Sequence, residues 1–370
     1  MRRRFYNPTD IRWSSWSDVG EVLGPPRLGV LIVAARSSQP WAAQLSQSYL
    51  SAHDVQIVPD VPPDPTAESV RAVVQAVRDM APDWVIAFGG GSVLDAAKAA
   101  ALLAKAEGDI LDYLRGLRQV QTPGIPLVAI PTTAGSGSEV TPYASITDEE
   151  WKKKTSLTSD YLYPRYAILD EALTVTMPPL ITAISGMDAL CHAIEAYWSK
   201  HSNLVTDAYA LSAAKIALNV LPVAFLHGDD LLVRRQMLEA SMLAGLAISN
   251  ARTTAAHAIS YPMTVFYRVP HGIACSIVLP QLIRYNSGAI DPGKEKVLLN
   301  NLGFRTMNEL ADAVECLKEK LHLPVRLRDL GIRQADLSTI VANGFRPDRI
   351  NNNPRAITAS DFKRMLKEIL

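Results

Sequence analysis

Four short apolar runs, Val30–Val33, Val55–Val58, Val85–Phe88 and Leu127–Ile130, alternate with stretches of helical spacing in the first half of the chain. This alternation restricts the possible folds more than any other feature. Near-continuous apolar runs of this length fit strands buried on both faces. Helical periodicity lies between them, over 40–52 and 66–80. Strands alternating with helices imply a parallel sheet covered by helices on both sides. From about Pro178 onward the β-branched runs thin out, and Ala/Leu-rich helical stretches follow at 184–198, 203–221 and 231–248. Thr176-Met177-Pro178-Pro179 interrupts both patterns and marks the expected boundary.

A chain of 370 residues with 48% hydrophobic content can bury two cores. Zero net charge argues against electrostatic binding to nucleic acid or to a membrane surface. Cys191, Cys275 and Cys316 show no CxxC spacing, which suits a reducing cytosol, so a cytoplasmic location is expected. Met1-Arg2-Arg3-Arg4 resembles the basic start of a leader, but no apolar segment follows it. The early run from Leu28 to Ala35 is of strand length and too short to span a bilayer.

Asp188 and His192 stand at i and i+4 and project from one helix face, so they can hold one ion together. His257 and His271 would complete a set of one oxygen and three nitrogens. Carboxylate with imidazole suits Fe²⁺ or Zn²⁺ and suits Ca²⁺ poorly. Any one of these histidines alone reads as an ordinary helix-face residue; the four together point to a metal.

Two glycine-rich segments follow expected strands. Gly89-Gly90-Gly91-Ser92-Val93-Leu94-Asp95 opens an expected helix, where free N–H groups and the dipole favour a pyrophosphate. It is neither GxGxxG nor a P-loop, and a plain strand-to-helix turn looks similar. Pro131-Thr132-Thr133-Ala134-Gly135-Ser136-Gly137-Ser138-Glu139-Val140 either lines a cofactor cleft or forms a flexible loop.

Together these segments resemble the iron-containing (group III) alcohol dehydrogenase family over most of the chain, from Tyr6-Asn7-Pro8-Thr9 to Asn353-Pro354-Arg355. The resemblance implies an α/β N-terminal dinucleotide-binding domain over 1–178. It implies an all-α C-terminal metal-binding domain over 179–370, in the fold shared with dehydroquinate synthase, and an active-site cleft between the two. It also implies Asp188, His192, His257 and His271 as ligands of Fe²⁺, with Zn²⁺ the other candidate. Asp95, Thr132, Thr133 and Ser138 would hold the cofactor beside Gly89, Gly90, Gly91 and Ser92. The family is commonly dimeric or larger. Dehydroquinate synthase itself is a lyase with a glutamate and two histidines, and glycerol dehydrogenases use an aspartate and two histidines. The fourth ligand, His192, favours the group III dehydrogenases.

Three departures from the family refine the expectation. Ala35 stands where many members carry a ribose-binding aspartate, and Arg36 follows; loss of the acid favours NADPH, with NADH still possible. Arg36 either binds the 2′-phosphate or is merely solvated. Tyr261 replaces a histidine found in members such as lactaldehyde reductase, and either relays a proton or packs against the nicotinamide ring. Arg252 and Arg268 replace small or neutral residues, and each either forks onto an anionic substrate or pairs with a neighbouring acid. The expected substrate is therefore a short anionic aldehyde such as phosphonoacetaldehyde or succinate semialdehyde. A neutral aldehyde of the lactaldehyde or propanediol type is the alternative.

Overall fold

Six parallel strands form the main sheet, in the order β1 (Asp10–Trp13), β8 (Tyr166–Leu169), β5 (Leu127–Pro131), β4 (Trp84–Gly89), β2 (Gly29–Ala34), β3 (Asp54–Val58). The structure, a computed structural model, describes residues 4–58 and 60–370, so Met1–Arg3 of the basic start lie outside the described residues. Alternate residues of the central strands feed two cores. Leu31, Val33, Val85, Ala87, Leu127 and Ala129 pack with the Ala67–Met80 and Gly91–Leu103 helices. Val30, Ile32, Ile86, Phe88, Val128 and Ile130 pack with Leu45 and Leu50 on the other face. Burial on both faces explains why these strands read as unbroken apolar runs.

Local rules account for the element ends. Thr66 caps the Ala67–Met80 helix by accepting from Ser69 N, in a reciprocal capping box. The expected helix over 40–52 is shorter in fact. It runs Gln39–Gln44 and passes into a π turn, Leu45–Tyr49, closed by Leu50 N donating to Leu45 O. That wider turn has the fully buried Leu45 and Leu50 at its two ends. A hairpin of β6 (Tyr143–Asp148) and β7 (Lys153–Thr158) stands apart from the main sheet.

The chain divides into two units. Asn7–Thr174 holds the sheet, and Val175–Leu370 holds the long helices together with the described residues ahead of Asn7. Pro179 opens the Pro179–Trp198 helix at a position where its missing N–H costs nothing. Asn203 caps the Leu204–Leu226 helix, and Asp230 caps the Leu231–Ala251 helix. The Leu204–Leu226 helix is long and apolar enough to cross a membrane, with mean hydropathy 1.6. It packs along its two long neighbours in the helical unit. Gly186 leaves room for the Leu221 side chain, since a Cβ there would lie 2.3 Å from Leu221 Cδ1 and push it aside.

Candidate metal centre and dinucleotide loops

The Pro179–Trp198 helix is buried without interruption from Gly186 to Trp198. Three polar side chains sit inside that apolar run, Asp188, His192 and Glu195, spaced so that they share one face. The Ala255–Tyr267 helix contributes His257, and the His271–Ser276 helix contributes His271 at its first position. Gly272 seats this last helix: a Cβ there would lie 2.1 Å from Ile184 O, so only glycine lets His271 come so close to the Asp188 helix.

Asp188 Oδ1 is the focus. His257 Nε2 lies 3.6 Å from it, His271 Nε2 3.9 Å and His192 Nε2 4.0 Å. Donors sharing one tetrahedral ion at ~2.1 Å stand about 3.4 Å apart, so this spacing is near that of a shared cation. Asp188 Oδ1 and His257 Nε2 are both buried and have no hydrogen-bond partner among the described residues. Such orphaned atoms are costly unless something binds them, and an oxygen facing imidazole nitrogens fits a divalent ion. Cys275 also belongs to the tightest donor group, with Asp188, His257 and His271, all within 4.8 Å of one another. His192 stands at the margin, its ring stacked on His257 at 4.5 Å and 19°.

Glu195 was not anticipated, and it orients the centre. Its Oε2 accepts from His257 Nδ1. Its Oε1 accepts from Thr254 Oγ1 (2.6 Å), Ala256 N (2.7 Å) and Thr254 N (3.2 Å). The carboxylate thereby satisfies the N-terminal N–H groups of the Ala255–Tyr267 helix and turns the Nε2 lone pair of His257 toward Asp188. Burial opposes the charge on both acids, yet the histidines around Asp188 hold it well below the usual carboxylate range, and His257 with Thr254 and Ala256 lowers Glu195. Burial pushes the Cys275 thiol up, which keeps it a neutral neighbour of these groups. The trace of Glu195 in the sequence was a charged residue inside a helix too apolar to face water.

Tyr261 is buried and stacks on His271, ring centroids 5.9 Å apart at 26°. Arg252 and Arg268 are exposed and follow the ends of their helices with positive φ, +63° and +54°.

In the α/β unit, parallel register lines up three strand ends. Ala34 is opposite Phe88, and Gly89 is opposite Pro131. Ala35, Gly90 and Thr132 therefore emerge side by side at the carboxyl edge, where open α/β sheets bind ligands. Gly90 precedes the Gly91–Leu103 helix, whose first turn leaves N–H donors for a phosphate. A Cβ on Gly91 would lie 2.7 Å from Ser136 Oγ, so the two glycine-rich segments touch through this position. Ser92 Oγ accepts from Asp64 N at 3.1 Å. Asp95 accepts from Ser138 Oγ (2.5 Å) and Ser145 N (2.8 Å), which fixes the loop around it. Thr132 is buried, and Thr133 Cγ2 and Oγ1 both come within 3.2 Å of where a Cβ on Gly90 would stand. Lys98, also unforeseen, is buried and donates to Ser138 O, Thr141 O and Thr141 Oγ1. Burial pushes the neighbouring Glu139 carboxyl up to about 7, against the pull of Lys98. Arg36 pairs with Asp60 at 2.7 Å, both largely exposed.

Comparison with known proteins shows the family of both halves of the chain. Residues 11–171 match the iron-containing alcohol dehydrogenase family, and residues 182–370 match the C-terminal part of the Fe-containing alcohol dehydrogenase family. The NAD-dependent methanol dehydrogenase of Bacillus methanolicus is 35% identical over 86% of this chain and 85% of its own length. The 1,3-propanediol dehydrogenase of Citrobacter freundii is 36% identical over 85% and 83%. The crystal structure of sulfoacetaldehyde reductase from Bifidobacterium kashiwanohense in complex with NAD⁺ superposes with a TM-score of 0.92 at 32% identity, covering 100% of this chain and 99% of that one. Matched in both halves, the chain belongs to the iron-containing alcohol dehydrogenase family and is an oxidoreductase of that group.

Proposed function

We propose that this protein interconverts a short anionic aldehyde and its alcohol by hydride transfer with NADPH or NADH, using Fe²⁺ held by Asp188, His192, His257 and His271. Zn²⁺ is the other ion this donor set suits. The observation that carries the reading is the pair of buried, unpartnered atoms Asp188 Oδ1 and His257 Nε2, 3.6 Å apart, with two further imidazoles beside them. A bound divalent ion supplies Lewis acidity toward a carbonyl oxygen, and a reduced nicotinamide supplies the hydride. The chain's own residues do the positioning. Glu195 fixes His257, and Tyr261 backs His271 and offers a hydroxyl proton. Gly89, Gly90, Gly91 and Ser92 present backbone to the pyrophosphate, and Thr132 and Thr133 line its flank. Asp95 and Ser138 keep the second loop in shape.

Similarity to a sulfoacetaldehyde reductase supports an anionic substrate, as do Arg252 and Arg268 on the segments that carry His257 and His271. The methanol and propanediol relatives favour a second reading, a neutral short aldehyde. The test is metal-stripped protein reloaded with Fe²⁺ or Zn²⁺ and assayed by NAD(P)H absorbance with succinate semialdehyde and butyraldehyde. At least about tenfold higher kcat/KM for the acid is expected, which corresponds to ~1.4 kcal/mol of discrimination. A preference for butyraldehyde selects the second reading.

Cofactor choice turns on Ala35, Arg36 and Asp60. An exposed ion pair is worth ~0–1 kcal/mol, so a 2′-phosphate can displace Asp60 from Arg36. NADPH is therefore accepted. Ala35→Asp should move the kcat/KM ratio about tenfold toward NADH, and Asp60→Asn should move it toward NADPH. A wild-type enzyme that strongly prefers NADH would refute this account of the turn. The same proposal includes a cytoplasmic homodimer or larger homo-oligomer, for which the exposed Leu204, Leu226 and Leu232 offer apolar surface. Light scattering gives its mass.

A further inference from the structure

Two arginines distant in sequence from the metal histidines converge on the ring next to them. Arg349 Cζ lies 5.0 Å from the centroid of Tyr261, and Arg346 Cζ lies 5.6 Å from it. That same ring stacks on His271. All four residues belong to the helical unit, so this cluster is complete within it. We propose that Arg349, assisted by Arg346, binds the anionic group of the substrate; the inference rests on the anionic-aldehyde reading given above.

Two guanidinium groups beside one ring concentrate positive charge next to His271, and an anion there meets planar donor forks. Their placement is fixed in advance. Arg349 Nη1 donates to Thr253 Oγ1. Asn352 Nδ2 donates to Thr253 O at 3.0 Å and to Asp348 O at 3.2 Å, which ties the short Arg349 segment to the start of the His257 helix. Arg346 Nε reaches Asp348 Oδ1 at 3.4 Å, a contact with a carboxylate more than half exposed. A carboxylate, phosphonate or sulfonate one or two carbons from the carbonyl is the class of group such a pair takes. Thr253 also brings Arg252 next to this cluster in the chain, as a neighbour of Arg349 rather than as the principal contact.

The experiment compares kcat/KM for succinate semialdehyde and butyraldehyde in metal-loaded wild type, Arg349→Gln, Arg349→Lys, Arg346→Gln and Arg252→Gly. Arg346→Gln leaves the Thr253 anchor intact and so covers the case in which Arg349→Gln folds poorly. Arg252→Gly removes the cation while relaxing a positive φ. The expected result is an acid-to-neutral ratio that falls at least tenfold in Arg349→Gln and severalfold in Arg346→Gln. The loss should appear in KM for the acid, with butyraldehyde kinetics little changed and partial recovery in Arg349→Lys. Wild-type preference for the acid that survives in both glutamine variants, or that falls only in Arg252→Gly, overturns the inference and leaves the anionic reading standing. Wild-type indifference to the acid overturns that reading and the inference with it.

Discussion

His271→Ala should lose at least about three orders of magnitude in kcat/KM, on the order of 4 kcal/mol of transition-state stabilisation, with little loss of stability. His257→Ala should lose as much activity and also unfold more easily. The two differ because of Glu195. His271 is the most exposed of the four side chains, at 25%, whereas His257 donates to a carboxylate with no exposure at all. Removing His257 leaves one buried oxygen of that carboxylate without its donor, a cost of about 1–3 kcal/mol. Metal content by mass spectrometry, turnover in metal-free buffer and thermal melts separate the two effects. Near-wild-type turnover of either variant in metal-free buffer removes these histidines from the site.

Glu195→Gln should weaken metal binding by about 10–100-fold while leaving turnover at saturating metal much less affected. The amide can keep its oxygen toward Thr254 and Ala256, where three donors meet. Its NH₂ then faces His257 Nδ1 and forces that nitrogen to accept. The ring proton moves to Nε2, which is the atom pointed at Asp188. Chelator competition measures the affinity directly. An unchanged affinity would show that the carboxylate serves only the helix N-terminus.

The central strands and the long helices were legible in the sequence because burial writes itself into composition. Val30–Val33, Val85–Phe88 and Leu127–Ile130 lie within β2, β4 and β5. β1 and β8 were not legible: each has four residues, and Asp10-Ile11-Arg12-Trp13 lies at an edge with charges in it. Asp188 and His192 could be paired from their spacing. Spacing alone could not place His257 and His271 beside them, because His271 depends on Gly272 against Ile184 and His257 on Glu195. Glu195 left only the trace of a charge in an apolar helix, and nothing local distinguishes Cys275; only the packing of three helices turns them toward one point. The Arg36–Asp60 pair spans two strands and was likewise out of reach.

One contact bears on the order in which the molecule assembles. Tyr6 N donates to Asn250 Oδ1 at 2.8 Å, and Asn250 Nδ2 returns a bond to Tyr6 O, so the helical unit is discontinuous in the chain, with the α/β unit inserted into it. Closing a loop between residues 6 and 250 in an unfolded chain costs about 5 kcal/mol of entropy from length alone. The sheet removes only about 1 kcal/mol of that cost once it forms, because roughly 90 residues of effective loop remain. β1 and β8 are paired neighbours, Asp10 opposite Tyr166, so the inserted unit brings its own two ends together. The helical unit then sees an effective connection of roughly 90 residues in place of the full span. The inserted unit therefore lowers the entropy cost of joining the two pieces of its host by about 1 kcal/mol, a modest bias toward folding the α/β unit first.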